Sequence, residues 1–174
     1  DSIDFSLIQQ RMRVLQERTF NDRTRVAKEI KDDLAKAQTP RQKLAYTYGL
    51  SVASRMLGRG EEAKRFANEA VLLGKNHPIL LKNKSECLFL YGTNKEKQQA
   101  LKMAQQLVES YPLSEMAVKL YANELYEAKR FNDISGCYAR SWFQIDWIIT
   151  NYAGDDYLKY EKDWEKNPDY VTYY

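Results

Sequence analysis

Three of the four prolines, Pro40, Pro78 and Pro112, each precede a stretch of strong helix formers, and the last two stand 34 residues apart. Proline fixes φ and lacks an N–H, so it is accommodated in the first turn of a helix and breaks the interior of one. A break recurring at that period, with a helix, a turn and a second helix between breaks, is the pattern of stacked helix-turn-helix units rather than of a compact bundle. Ala, Leu, Lys, Glu, Gln and Arg fill the intervals, and only seven glycines interrupt the 174 residues. That balance favours helix over strand. The expected fold is all-α, with eight to nine helices.

Apolar spacing places the helices. Phe5, Ile8, Met12 and Leu15 fall on one face of a first helix over 4–17, and Val26, Ile30 and Leu34 on one face of a second over 22–37. Thr39 is placed to cap a third helix with Pro40 in its first turn. That helix is expected to reach Leu57, with Gly58 and Gly60 closing it. Further helices are expected over 61–73, 79–91, 93–111, 114–130 and 132–152, and a short one over 155–166. The resulting organisation is a repeat domain over 1–154, made of an N-terminal hairpin (1–39) and repeats at 40–77, 78–111 and 112–151. A capping helix and tail follow at 155–174.

Within each period the residue sizes recur. Leu50, Ser51 and Gly58 lead to Ala63, Ala67 and Ala70 in the first repeat. Val118, Tyr121, Ala122 and Leu125 lead to Phe131 in the third. The middle repeat is looser, matching Leu81, Ser85, Leu88 and Gly92, then Ala100, Ala104 and Leu107, with about three extra residues in the turn. This pattern resembles the tetratricopeptide repeat, in which small residues let paired helices approach closely. The resemblance implies a right-handed superhelix of antiparallel helix pairs, a solenoid. The alternative is a helical bundle whose small residues merely permit close crossings.

A second resemblance covers residues 2 to about 132. Asp4, Phe5 and Leu7 open an Arg-rich helix, Arg41 and Gln42 follow the Thr-Pro start, Tyr48 and Gly49 sit mid-helix, and Glu61 to Ala63 open the next. These motifs resemble the helical-repeat region that follows the catalytic domain in the M48 family of bacterial metalloproteases, of the beta-barrel assembly-enhancing type. What this implies is a periplasmic docking module for substrates or outer-membrane assembly partners. The HExxH zinc motif of that family is not in this sequence, and beyond Asn151 the chain departs from the family pattern. The alternatives are a free-standing adaptor or chaperone of the same fold, cytoplasmic or secreted, that binds a peptide segment of a partner, and a purely structural spacer. Asp1 in place of a starting Met fits either a removed targeting segment or a piece of a longer protein.

Composition narrows the function classes. One histidine, His77, and two cysteines fifty residues apart, Cys87 and Cys137, do not make a zinc site. Each cysteine is expected to pack as a small hydrophobe, with a disulfide between them as the alternative. A net charge of +3 without a basic, aromatic-interleaved motif argues against nucleic acid. No apolar run is long enough to span a membrane. His77 reads as a loop residue or cap, and the pairs Asp32/Asp33 and Asp155/Asp156 as helix-end residues. With no nucleophile and base pair and no phosphate-gripping loop, the chain is not expected to be an enzyme or to need a cofactor or metal.

The first helix of each stacked pair lines the concave side of a superhelix. Carrying the repeat register onto this chain puts Tyr48, Val52 and Arg55 there in the first repeat, and Lys82, Glu86 and Phe89 in the second. The third contributes Met116, Lys119, Asn123 and Tyr126. Rings and cations together suit an extended peptide; the alternative is that Tyr48, Phe89 and Tyr126 are packing residues. Residues 151–174 carry six acids against three lysines, and 155–174 hold Trp164 and five of the thirteen tyrosines. That aromatic density fits a cap on the end of the solenoid, with two alternatives: an internal ligand for the groove, or a segment for self-association.

Overall fold

The computed structural model describes residues 5–17, 19–112 and 114–134. They form seven α-helices and, among the described residues, no strand: α1 (Gln9–Glu17), α2 (Phe20–Lys36), α3 (Pro40–Met56), α4 (Gly60–Leu73), α5 (Pro78–Tyr91), α6 (Asn94–Ser110) and α7 (Glu115–Glu127). Helical backbone resumes at 131–134. The expected helices over 132–152 and 155–166, the aromatic tail and Cys137 lie outside the described residues. The chain divides into two compact units, 1–97 and 98–174. The division falls inside α6 and not at one of the expected repeat boundaries.

Local chemistry explains the helix starts. Thr39 Oγ1 accepts from the Gln42 N–H at 3.2 Å while Gln42 Oε1 accepts from the Thr39 N–H at 3.3 Å, a reciprocal capping box with Pro40 just inside the helix. Thr93 and Glu96 repeat the arrangement ahead of α6, at 3.2 and 3.1 Å. His77 caps α5: its Nδ1 accepts from the Ile79 N–H at 3.3 Å, and Pro78 occupies the first helical position. Thr19 serves α2, which therefore begins at Phe20 and not at Asp22 as the spacing predicts. The first helix is also shorter than predicted, because residues 6–8 form a turn ahead of Gln9.

The end of α3 is a Schellman motif. Gly58 has φ +74°, its N–H donates to the Arg55 carbonyl at 3.2 Å, and the Arg59 N–H donates to the Ser54 carbonyl at 2.9 Å. The end of α7 is closed by the same geometry with Lys129 at φ 59° in the left-handed position. That helix consequently stops at Glu127, three residues before the expected end. Asp32 and Asp33 lie within the last turns of α2, where a carboxylate does not cap. Asp33 pairs instead with Arg11 of α1.

In the first unit α2 packs on α1 and α3, α3 on α4, and α4 on α5, while α3 also touches both α1 and α5. One apolar cluster joins Leu15 of α1, Val26, Ala27 and Ile30 of α2, Leu50 and Ala53 of α3, and Phe66 of α4. A second, of Ala63, Ala67 and Cys87 with Tyr91 against it, is built from small side chains and brings α4 close to α5. The approach is close at Gly60, where a Cβ would stand 2.7 Å from Tyr91 Cγ. Among the described residues of the second unit, the buried apolar ones are Ala100, Ala104 and Leu107 of α6 and Met116, Ala117, Val118, Leu120, Ala122 and Leu125 of α7.

Candidate functional site

The helices α3 and α5 start alike, each with a side-chain cap and a proline, and Tyr48 and Glu86 stand at equivalent places eight residues beyond those prolines. On α5, Lys82, Glu86 and Phe89 follow at steps of four and three, which puts them on one face. Arg55 of α3 reaches that face. Its Nη2 lies 3.2 Å from Glu86 Oε2, and Lys82 Nζ lies 3.3 Å from Glu86 Oε1. The side chains of Arg55, Lys82 and Glu86 are 24, 31 and 22% exposed, so the cluster is open to solvent but not afloat in it.

Two features give this seam its character. Two cations share one carboxylate, leaving a net positive charge, and each carboxylate oxygen is committed to a different cation. Arg55 Nε is meanwhile buried with no hydrogen-bond partner, a condition that is uncommon and costly for a guanidinium donor. The backbone beneath it is fixed, because the Tyr91 hydroxyl donates to the Arg55 carbonyl at 2.7 Å.

Tyr48 is half-buried and packs against the cluster of Ala70, Val71 and Leu80. Its ring centroid is 5.1 Å from that of Phe5. Burial, and then the negative charge of Glu86, push its phenol up to about 12. Phe89 is likewise half-buried. Val52, expected on the same surface, is only 3% exposed, and the space beside it is filled by the protein itself.

The remaining expected positions belong to the second unit. Met116 is 8% exposed and, like Val52, is a core residue in this structure. Lys119 is exposed and pairs with Glu115 at 2.6 Å. Asn123 is exposed, and Tyr126 is 61% exposed with its ring edge-on to Phe131 at 5.5 Å. The residues read from the register thus resolve into a seam on α3 and α5, three exposed residues of the second unit (Lys119, Asn123 and Tyr126), and two buried residues. Val52 and Met116 offer a partner no surface because an apolar side chain at a helix contact is drawn into the nearest core.

Sequence reasoning missed the polar network beneath the seam. Ser51 Oγ donates to the Ala63 carbonyl at 2.9 Å and accepts from Asn83 Nδ2 at 2.8 Å, with all three residues buried. Cys87 Sγ lies 3.8 Å from Ser51 Oγ and 3.9 Å from Asn83 Oδ1. The only signal in the sequence is Asn83 itself, an amide between Leu81 and Leu88 on a helix that is apolar on several sides.

Cys87 and His77 each have a structural place in the first unit. Cys87 is a free thiol, and burial pushes it up to about 11, which disfavours the nucleophilic thiolate. His77 is engaged as a helix cap. Among the described residues there is no cluster of side chains able to hold a metal ion, and no helix long and apolar enough to cross a membrane. No protein-family model matches this chain, and neither a curated protein nor a solved structure does.

Proposed function

We propose that this chain is a non-catalytic protein interaction module. Its helix pairs stack as a right-handed superhelix of the kind formed by the tetratricopeptide repeats its sequence resembles. An extended segment of a partner protein lies along the first helices of the pairs. The observation that carries this reading is that in the first unit α3 touches both α1 and α5. In stacked hairpins the first helices form one continuous wall, and Tyr48, Arg55, Lys82, Glu86 and Phe89 are on α3 and α5 of that wall.

A peptide-display selection against the whole chain tests it. The expected result is a set of peptides whose binding is weakened by combined Arg55→Ala, Lys82→Ala and Phe89→Ala substitutions while the far-UV circular dichroism is unchanged. Peptides that bind the triple variant as tightly as the parent overturn the assignment of this face. A selection that enriches nothing overturns peptide binding as the function.

The motifs at Asp4 to Leu7, Arg41–Gln42 and Glu61 to Ala63 support placing the module in the periplasm. There it serves an M48-type metalloprotease by docking substrates or outer-membrane assembly partners. Antibody capture of the native protein distinguishes this from a free-standing adaptor or chaperone. Recovery of HExxH-containing peptides on the same polypeptide, from the periplasmic fraction, is the expected outcome. A cytoplasmic species close to 20.5 kDa overturns it.

A further inference from the structure

The unpartnered Nε of Arg55 and the divided carboxylate of Glu86 point to a more specific role for the seam. A guanidinium and a carboxylate pair best as a fork, with two parallel N–H···O bonds. Here the fork is not closed: Glu86 gives Oε2 to Arg55 Nη2 and Oε1 to Lys82 Nζ, so Arg55 Nε is left buried without an acceptor. Lys82, at 31%, is the most exposed of the three side chains, and its ammonium is the end of the cluster that an incoming group meets. A second carboxylate placed on Lys82 frees Glu86 Oε1. Glu86 then has both oxygens available for Arg55, and the buried Nε gains the acceptor it lacks. The exchange also balances charge, with two anions on two cations.

We propose that Lys82 receives a carboxylate of the partner segment, and that Glu86 is the internal anion displaced from it onto Arg55. The ligand class is an acidic, extended peptide. Its carboxylate is read by Lys82, and its apolar atoms lie against Phe89 on the same face of α5. This rests on the reading of the α3–α5 seam as a binding face, and it adds the chemistry that face selects. Glu86 acts as a competitor for Lys82 in the empty state and as a support for Arg55 in the occupied one, so binding is coupled to closure of the fork.

The test uses the full chain and two probes, a fluorescein-labelled decapeptide of glutamate and its glutamine counterpart, by anisotropy at low salt. The glutamate peptide is expected to bind more tightly, and Lys82→Gln to weaken it about fivefold, the scale of one partly exposed ion pair. Lys84→Gln removes the same charge from the opposite side of α5, where Lys84 bonds Asn68 at 2.9 Å, and is expected to leave binding within about twofold of wild type. In ¹⁵N spectra the Arg55 Hε resonance is expected to shift and to exchange more slowly as the glutamate peptide is added. Equal losses from Lys82→Gln and Lys84→Gln overturn the proposal in favour of a diffuse charge effect, as does binding that leaves Arg55 Hε unmoved. If display-selected neutral peptides bind in a Lys82-dependent manner while the glutamate peptide does not, the carboxylate proposal fails and the binding face stands.

Discussion

Replacing Ser51 with Ala tests whether the hydroxyl network under the seam holds three helices together or merely occupies space. Ser51 Oγ joins α3 to the Ala63 carbonyl of α4 at 2.9 Å and to the Asn83 amide of α5 at 2.8 Å. With Ser51 and Asn83 both buried, water is poorly placed to replace either bond. Removing the hydroxyl strands the Asn83 N–H and weakens the satisfaction of the Ala63 carbonyl, at a cost of about 1–3 kcal/mol for a buried polar group left unpaired. Alanine has the higher helix propensity, by about 0.5 kcal/mol, and no larger volume. An idle hydroxyl would therefore make the substitution stabilising. The two accounts differ in sign.

The net expectation is a loss of about 1–2 kcal/mol, read as a lower urea midpoint with an unchanged m value. In a cooperative unit of this size that is a fall in Tm of about 4–16 °C. The double variant Ser51→Ala with Asn83→Leu removes both polar partners and is expected to be less destabilised than the sum of the single changes, by about 1 kcal/mol or more. A Ser51→Ala variant as stable as the parent, or additivity of the two changes, refutes the network as a source of cohesion.

Three other outcomes follow from the same structure. Gly60→Ala puts a methyl 2.7 Å from Tyr91 Cγ, on a ring whose hydroxyl is tied to the Arg55 carbonyl; a loss of about 1–3 kcal/mol by thermal melting is expected, and Gly60→Ala in a Tyr91→Ala background should cost far less. Burial lowers the His77 pKa below 6.5, so between that lowered value and 6.5 the unfolded chain binds more protons and stability falls as pH falls; His77→Asn, a non-titrating cap, should flatten that part of the pH profile, and an unchanged slope refutes the assignment. In a Cys137→Ser variant, Cys87 should resist a disulfide reagent at pH 8 in the folded protein and react promptly in urea, because its thiol is pushed up to about 11 and buried; rapid native reaction would contradict this.

The helices were legible because their signals are local. Thr39 with Pro40 and Gln42 is a complete start signal within four residues, and the structure forms its capping box. Gly58 signals the left-handed turn that ends α3, since an L side chain is disfavoured at φ +74°. Where no glycine marks the turn, as at Lys129, the spacing overruns the helix by three residues. The site was legible only in part, because register predicts which residues share a face and not which face the protein covers. Tyr48, Arg55, Lys82 and Glu86 converge, whereas Val52 lies one turn from Tyr48 on α3 and is buried.

Small residues carry two kinds of information that a sequence does not separate. Ser51, Ala63, Ala67 and Cys87 read alike as side chains small enough for close helix packing, and Ala63, Ala67 and Cys87 do form such a contact. Ser51 meets the same steric requirement and adds a hydroxyl that reaches α4 and α5. Contacts between small side chains are shallow, so they leave α5 freer to shift along α3 and α4 than large interdigitated side chains would. A hydrogen bond is directional and does not leave that freedom. The network under Ser51 and the Tyr91 hydroxyl on the Arg55 carbonyl therefore fix the register of α5 against α3. That register sets Glu86 within reach of Arg55 at 3.2 Å. A slip of one residue along the axis, about 1.5 Å, would lengthen that pair beyond good hydrogen-bond geometry. The two hydroxyls thus position the half-buried charges, and variants of Ser51 that remain folded should disturb the seam even though Ser51 does not touch it.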